Sequence, residues 1–168
     1  DYKDQSNSNL NILRKCLAIE VVEGIRANSN KNLFYIEAPT GSGKTNLSMV
    51  VIAELLRNDN LNKISRIFYV FPFTTLITQT YASLIDTLKL NDKEIVEAHS
   101  KAPFQTGHYE DDYKNYIDYI FLNYPIMLLS HIRFFDILKS NSKDLNYLLH
   151  RLSNSIVIID EIQSYPPN

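Results

Sequence analysis

The chain is poor in what cross-linking and membrane insertion require. It holds a single cysteine, no tryptophan and only four glycines in 168 residues. One cysteine, Cys16, excludes an internal disulfide and fits a reducing interior. It stands in a helix-like stretch and is expected in the core rather than in catalysis. No apolar run reaches the ~20 residues a spanning helix needs, and the N-terminal residues lack a secretory pattern. No membrane partner is expected, and the setting expected is soluble and cytoplasmic. Charge of one sign is also missing: 17 Lys and Arg against 19 Asp and Glu leave a net charge of −2. That balance exerts no general pull on nucleic acid, so any such contact must be local. None of the four histidines has a neighbour at ligand spacing, which argues against a histidine metal site. With 45% hydrophobic residues, one domain of this length can bury roughly two-thirds of its unfolded surface.

Two of the few glycines fall together, in Ala38-Pro39-Thr40-Gly41-Ser42-Gly43-Lys44-Thr45. The apolar run Leu33-Phe34-Tyr35-Ile36 leads in, and a helix-like run from Leu47 to Leu56 leads out. A strand, a glycine-bearing loop, then Lys-Thr opening a helix is the setting of a phosphate-binding loop. Gly41 and Gly43 let the backbone curl so that successive N–H groups approach an anion closely. The helix starting near Lys44 adds the positive end of its dipole. Pro39, Thr40, Gly41, Ser42, Gly43, Lys44 and Thr45 are therefore the expected nucleotide-binding residues. Lys44 would bridge the terminal phosphates, and the Thr45 hydroxyl would hold Mg²⁺. Ala38 stands where such loops usually begin with glycine, a departure that is tolerable where φ is below zero.

The partner motif lies far along the chain. Ser155-Ile156-Val157-Ile158-Ile159 has the pattern of a buried strand and ends in Asp160-Glu161-Ile162-Gln163. Ligands of parallel α/β sheets bind at the carboxyl ends of strands, so both motifs are expected in one crevice. Asp160 would hold the Mg²⁺, directly or through water. Glu161 would orient and polarise the attacking water. An acid pair after an apolar run alone could be a strand end meeting solvent; beside a phosphate loop it predicts nucleotide hydrolysis.

Taken in order, Asp1-Tyr2-Lys3-Asp4 matches the start of a common epitope tag that Gln5 to Asn9 does not continue, and residues 1–9 are expected to be disordered or tag-like. Residues 10–168 are expected to form a single domain. Leu10 to Ile25 reads as an amphipathic helix capped by Ser8 or Asn9. Asn28 to Asn32 is a turn. Arg66 to Phe71 is a strand stopped by Pro72, and Thr74 starts a helix carrying Leu76, Ile77, Tyr81, Leu84, Ile85 and Leu88 at helical spacing. Glu94 to Ala98 and Ile126 to Leu129 are further strands. Helices over roughly 132–139 and 144–152 precede the last strand. Strands alternating with helices predict an α/β fold with a mostly parallel sheet.

Smaller motifs sit at the strand ends. Thr74 and Thr75 follow a strand and could grip a nucleic-acid phosphate, or either could be a plain helix cap. His99 and Ser130 sit at equivalent ends, where a lone histidine is more often structural than a ligand contact. Tyr109, Tyr113, Tyr116, Tyr119 and Tyr124 crowd one region. Such a stripe could stack single-stranded bases, but packing is expected, because Glu110-Asp111-Asp112 would repel a phosphate backbone.

Together these motifs resemble those of the superfamily-two helicases. Their first RecA-like lobe, with helices on both faces of its sheet, carries a phosphate loop, a phosphate-gripping motif and a D-E-x-x box in this order. The loop beginning at Ala38 is that superfamily's form. Val157 to Pro166 looks like the D-E-I-Q-x-Y-x-P form of the CRISPR-associated helicase-nuclease of type I interference. Phe71 to Ile77, Glu97 to Ser100 and Leu129 to Phe135 look like further segments of that family. The resemblance covers most of residues 10–166. It implies ATP and Mg²⁺ as cofactors, single-stranded DNA as substrate, and a guide-RNA surveillance complex and a fused or separate HD nuclease domain as partners. Thr74, Thr75, Ser130 and His99 would touch the DNA backbone, and Gln163 would couple nucleotide state to the DNA face. No His is followed by Asp, so the HD signature is not in this sequence. The resemblance also implies that residues 10–168 are an incomplete first lobe, nearly inactive in hydrolysis without the second lobe and its arginine finger. Gln5 is the only glutamine before the loop, so preference for ATP rests on the likeness. The motor lobe of a restriction or repair translocase, or a non-motor P-loop NTPase, are the alternatives.

Overall fold

The computed structural model describes residues 2–39, 41–58, 63–91, 93–98, 117–139 and 143–165. The chain divides into two compact units, residues 1–62 and 63–168.

The first unit is built on two helices that contact each other, α1 (Tyr2–Ala27) and α2 (Lys44–Asn58). Helix α1 begins at Tyr2 rather than near residue 10, so Ser8 and Asn9 lie inside it. Once a helix is nucleated, each further residue adds a backbone bond at little cost, and a polar run can be drawn in. The helix ends where predicted: Asn28 N–H donates to the Ile25 carbonyl (3.2 Å) and Asn28 Nδ2 to the Gly24 carbonyl (2.9 Å). Arg26 clamps α1 to α2 with a forked ion pair to Glu54, Nε to Oε1 at 2.7 Å and the second nitrogen to Oε2 at 3.0 Å. Glu54 is buried, and Asn58 Nδ2 also donates to it, so both of its oxygens are satisfied. Cys16, expected in the core, is exposed on α1.

The expected first strand does not form. Residues 33–36 are irregular, with Leu33 88% and Tyr35 75% exposed. A short apolar run becomes a strand only when a ladder partner satisfies its backbone. The elements of this unit among its described residues are helices, which offer no ladder.

The second unit is a four-stranded parallel sheet: β1 (Arg66–Phe71), β2 (Ile95–Ala98), β3 (Ile126–Ser130) and β4 (Ser155–Ile159), in the order β2-β3-β1-β4. Helix α3 (Thr74–Leu88) joins β1 to β2, while α4 (His131–Lys139) and α5 (Lys143–Leu152) lie between β3 and β4. Ile67 to Phe71 are all buried, as a central parallel strand covered on both faces requires. Phe68, Val70, Met127, Leu129, Val96 and Ala98 form one core with Phe134 and Ile137 of α4 and Leu148 of α5. Tyr124 is buried in that core, and Tyr119 packs against it with its hydroxyl accepting from Arg133 at 2.9 Å. These two tyrosines are packing residues, as expected; Tyr109, Tyr113 and Tyr116 lie outside the described residues. Helix α3 packs on β1, β2 and β3 through the buried Ile77 and Leu84. Strand β4 departs from the buried pattern read in its sequence: only Ile156 is buried, and Val157 and Ile159 are exposed. It is an edge strand of this sheet, so its apolar side chains are covered on fewer sides.

Candidate nucleotide and nucleic-acid sites

In the first unit the phosphate loop curls as its glycines predict. Gly41 has φ +80° and Gly43 φ +83°, a region that side chains with a Cβ rarely enter. Ser42 N–H closes a turn onto the Pro39 carbonyl at 3.2 Å. Leu47 N–H bonds the Gly43 carbonyl at 3.0 Å, so the loop runs straight into α2. The first-turn N–H groups of α2 lack intrahelical acceptors by construction and carry the positive end of its dipole. Lys44 and Thr45 stand at that end, half-buried. Ser42 is buried, and its hydroxyl has no hydrogen-bond partner among the described residues. A buried hydroxyl left unpaired costs about 1–3 kcal/mol, and a phosphate oxygen would satisfy it. The curl, the helix end and this hydroxyl fit a polyphosphate. Thr40 lies outside the described residues.

In the second unit the acid box leaves β4. Asp160 N–H still donates to the Val70 carbonyl at 3.0 Å, keeping the aspartate in sheet register beyond the last strand residue. Val70 pairs with Ile159 and Phe71 with Ser130, so Asp160 and Ser130 flank the end of β1 at the carboxyl rim of the sheet. The chain then turns sharply. Glu161 adopts a left-handed conformation (φ 49°, ψ 46°), and its N–H donates to Asp160 Oδ1 at 2.9 Å. A glutamate in that region is strained by about 1–3 kcal/mol and persists only where its surroundings hold it. A 3₁₀ turn (Ile162–Ser164) follows, closed by Ser164 N–H to the Glu161 carbonyl at 2.8 Å. Gln163 Nε2 donates to Glu161 Oε2, so the residue expected to couple the sites touches one of the two acids.

The sequence carried Tyr165 without a role; the structure supplies one. Its hydroxyl donates to the Asp160 carbonyl at 3.0 Å and locks the turn from its far side. Its ring packs against His131 (5.2 Å between centroids) and Phe135 (6.1 Å) of α4. Burial, and then the Asp160 carboxylate, push the phenol up to about 12, so it stays a donor at any ordinary pH. Its only signal in sequence was the spacing to the acid pair.

The residues expected to meet nucleic acid divide. Thr74 and Thr75 open α3 just past β1, and both are exposed. Neither is the cap: that position belongs to Phe73, whose side chain makes no capping bond. Both hydroxyls therefore stand on the first turn of a helix, beside its N–H groups. Ser130 has a structural task, its Oγ accepting from Arg133 N–H at 3.4 Å as α4 begins. His99 lies outside the described residues.

No described helix is long and apolar enough to cross a membrane. No curated protein sequence matches the chain. The sequence profile of the DEAD/DEAH box helicases matches residues 17–166. That single match runs through the phosphate loop, the end of β1 and the acid box. The parallel α/β unit with an acid pair at its rim is consistent with a RecA-like helicase lobe, the motor of an ATP-dependent enzyme, and the chain belongs to the DEAD/DEAH box helicase family.

Proposed function

We propose that this lobe belongs to a cytoplasmic DNA translocase of CRISPR interference, moving on single-stranded DNA and feeding that strand to an HD nuclease domain after a guide-RNA surveillance complex has opened an R-loop. The observation that carries the reading is the turn from Asp160 to Tyr165, whose D-E-I-Q-S-Y sequence resembles that family's box. Its tyrosine holds the Asp160 carbonyl and its glutamine holds Glu161. The segments Phe71–Ile77 and Leu129–Phe135, read by resemblance, support the same assignment.

On this reading each motif has its own task in ATP hydrolysis. The N–H groups of Gly43, Lys44 and Thr45 cradle the phosphates, and the Lys44 ammonium binds the terminal ones. Thr45 and Asp160 are the residues that would hold Mg²⁺. When bound, the ion neutralises charge on the phosphate oxygens. Glu161 accepts the proton of the attacking water. Thr74 and Thr75 offer hydroxyls to the DNA backbone, which needs no large basic surface.

The test is ATP hydrolysis by the full-length protein with and without single-stranded DNA, with Lys44→Ala as control. At least about tenfold stimulation by DNA, abolished in Lys44→Ala, is expected. Turnover indifferent to DNA would overturn the motor assignment. Translocation that starts equally well without the surveillance complex would overturn the CRISPR role while leaving the motor.

A further inference from the structure

We propose that Arg14 of α1 is a positioning residue for the phosphate loop, setting its affinity for polyphosphates; this rests on the nucleotide-binding reading above. Its guanidinium spans two acceptors. One nitrogen donates to Asn11 Oδ1 one turn earlier (3.3 Å), and another donates to the Gly41 carbonyl, 27 residues away in sequence, at 3.1 Å. The same side chain runs beneath the second glycine: a Cβ built on Gly43 would lie 3.6 Å from Arg14 Nε and 3.8 Å from its Cδ. Arg14 therefore touches both residues at which the loop takes a positive φ.

The peptide plane explains what the contact does. The Gly41 carbonyl and the Ser42 N–H belong to one rigid unit and point in opposite directions. Arg14 holds the carbonyl end, and the Pro39 carbonyl holds the N–H end at 3.2 Å. A peptide bond flanked by a glycine would otherwise flip among several conformers, and binding would bear the entropy of fixing it. Pinned at both ends, it aims the following N–H groups at one point. Arg14 thus acts through the loop, and its contribution appears only with ligands whose phosphates reach that point.

The experiment measures ATP and AMP affinity of the full-length protein for Arg14→Ala, Arg14→Lys and Lys44→Ala, with far-UV circular dichroism confirming the fold. Arg14→Ala is expected to weaken ATP about tenfold, the size of one lost charge-assisted hydrogen bond. AMP, which lacks the β- and γ-phosphates, should change less than about twofold. Arg14→Lys keeps one donor for Gly41 and should recover most of the loss. KM for ATP should rise with Arg14→Ala more than kcat falls. Unchanged ATP affinity in Arg14→Ala while Lys44→Ala abolishes binding would overturn the proposal and leave the site intact. Equal losses for ATP and AMP would also overturn it. Unchanged binding in Lys44→Ala would instead overturn the nucleotide-site reading itself.

Discussion

At the scale of single residues, the proposed function gives the two acids of the box different tasks. Asp160 stays in sheet register while Glu161 is thrown into a left-handed turn, so the two carboxylates leave the backbone in different directions. Glu161→Gln preserves the shape but removes the base of the proposed mechanism. ATP hydrolysis should fall by about 10²–10⁴, with nucleotide affinity within about threefold, separable by comparing turnover with equilibrium binding. Tyr165→Phe removes only the hydroxyl bonded to the Asp160 carbonyl. It should cost about 1 kcal/mol, seen as a few degrees in Tm, together with a several-fold loss of turnover. The same phenol gives an alkaline signature. Its pKa rises from 10.0 to about 12 on folding, so above pH 10 the unfolded chain has lost a proton that the folded one keeps. Stability from this group is complete below pH 10 and falls as pH climbs toward 12. A pH series of thermal melts should show a slope there that Tyr165→Phe reduces.

At the scale of elements, packing and charge hold different parts. Met127 of β3 is fully buried in the core shared with α4 and α5. Met127→Ala should cost about 2–5 kcal/mol, a large part of the 5–15 kcal/mol typical of a whole domain, and should be seen in denaturant titration. The α1–α2 pair leans instead on Arg26 and Glu54. The Arg26 fork holds the Glu54 carboxyl below its ordinary 4.5. A lowered carboxyl stabilises the fold above the unfolded value and loses that effect as pH falls through the folded one. Helical signal should therefore decline below about pH 4.5, and Arg26→Met should remove that dependence while lowering stability at neutral pH, both readable by circular dichroism. Local chemistry made most elements legible in advance. The β1 run stopped by Pro72, the helix from Thr74 and the runs ending at Ser130 and Asp160 form where their residues predicted. Residues 33–36 failed the same reasoning, because apolar character alone cannot supply the neighbouring strand that hydrogen bonding requires.

At the scale of the molecule, a net charge of −2 bears on how the DNA of the proposed function would be held. Without a broad basic field, binding on that reading would rely on a few local donors such as the first turn of α3, and log Kobs against log salt should be shallower than about −3. A steeper slope would point to a basic surface that this composition does not suggest. Composition, spacing and motif order by themselves determined the α/β class, the loop that curls at Gly41 and Gly43, and the acid pair after a strand, since each follows from neighbours a few residues apart. Tertiary structure alone decided that β1 lies between β3 and β4, that β4 is an edge, that Tyr165 reaches back to the Asp160 carbonyl beside His131, and that Arg14 grips Gly41. The physical reason is range. Propensity and turn chemistry act along the chain, whereas strand order, burial and the partners of long side chains depend on which distant segments the folded core brings into contact.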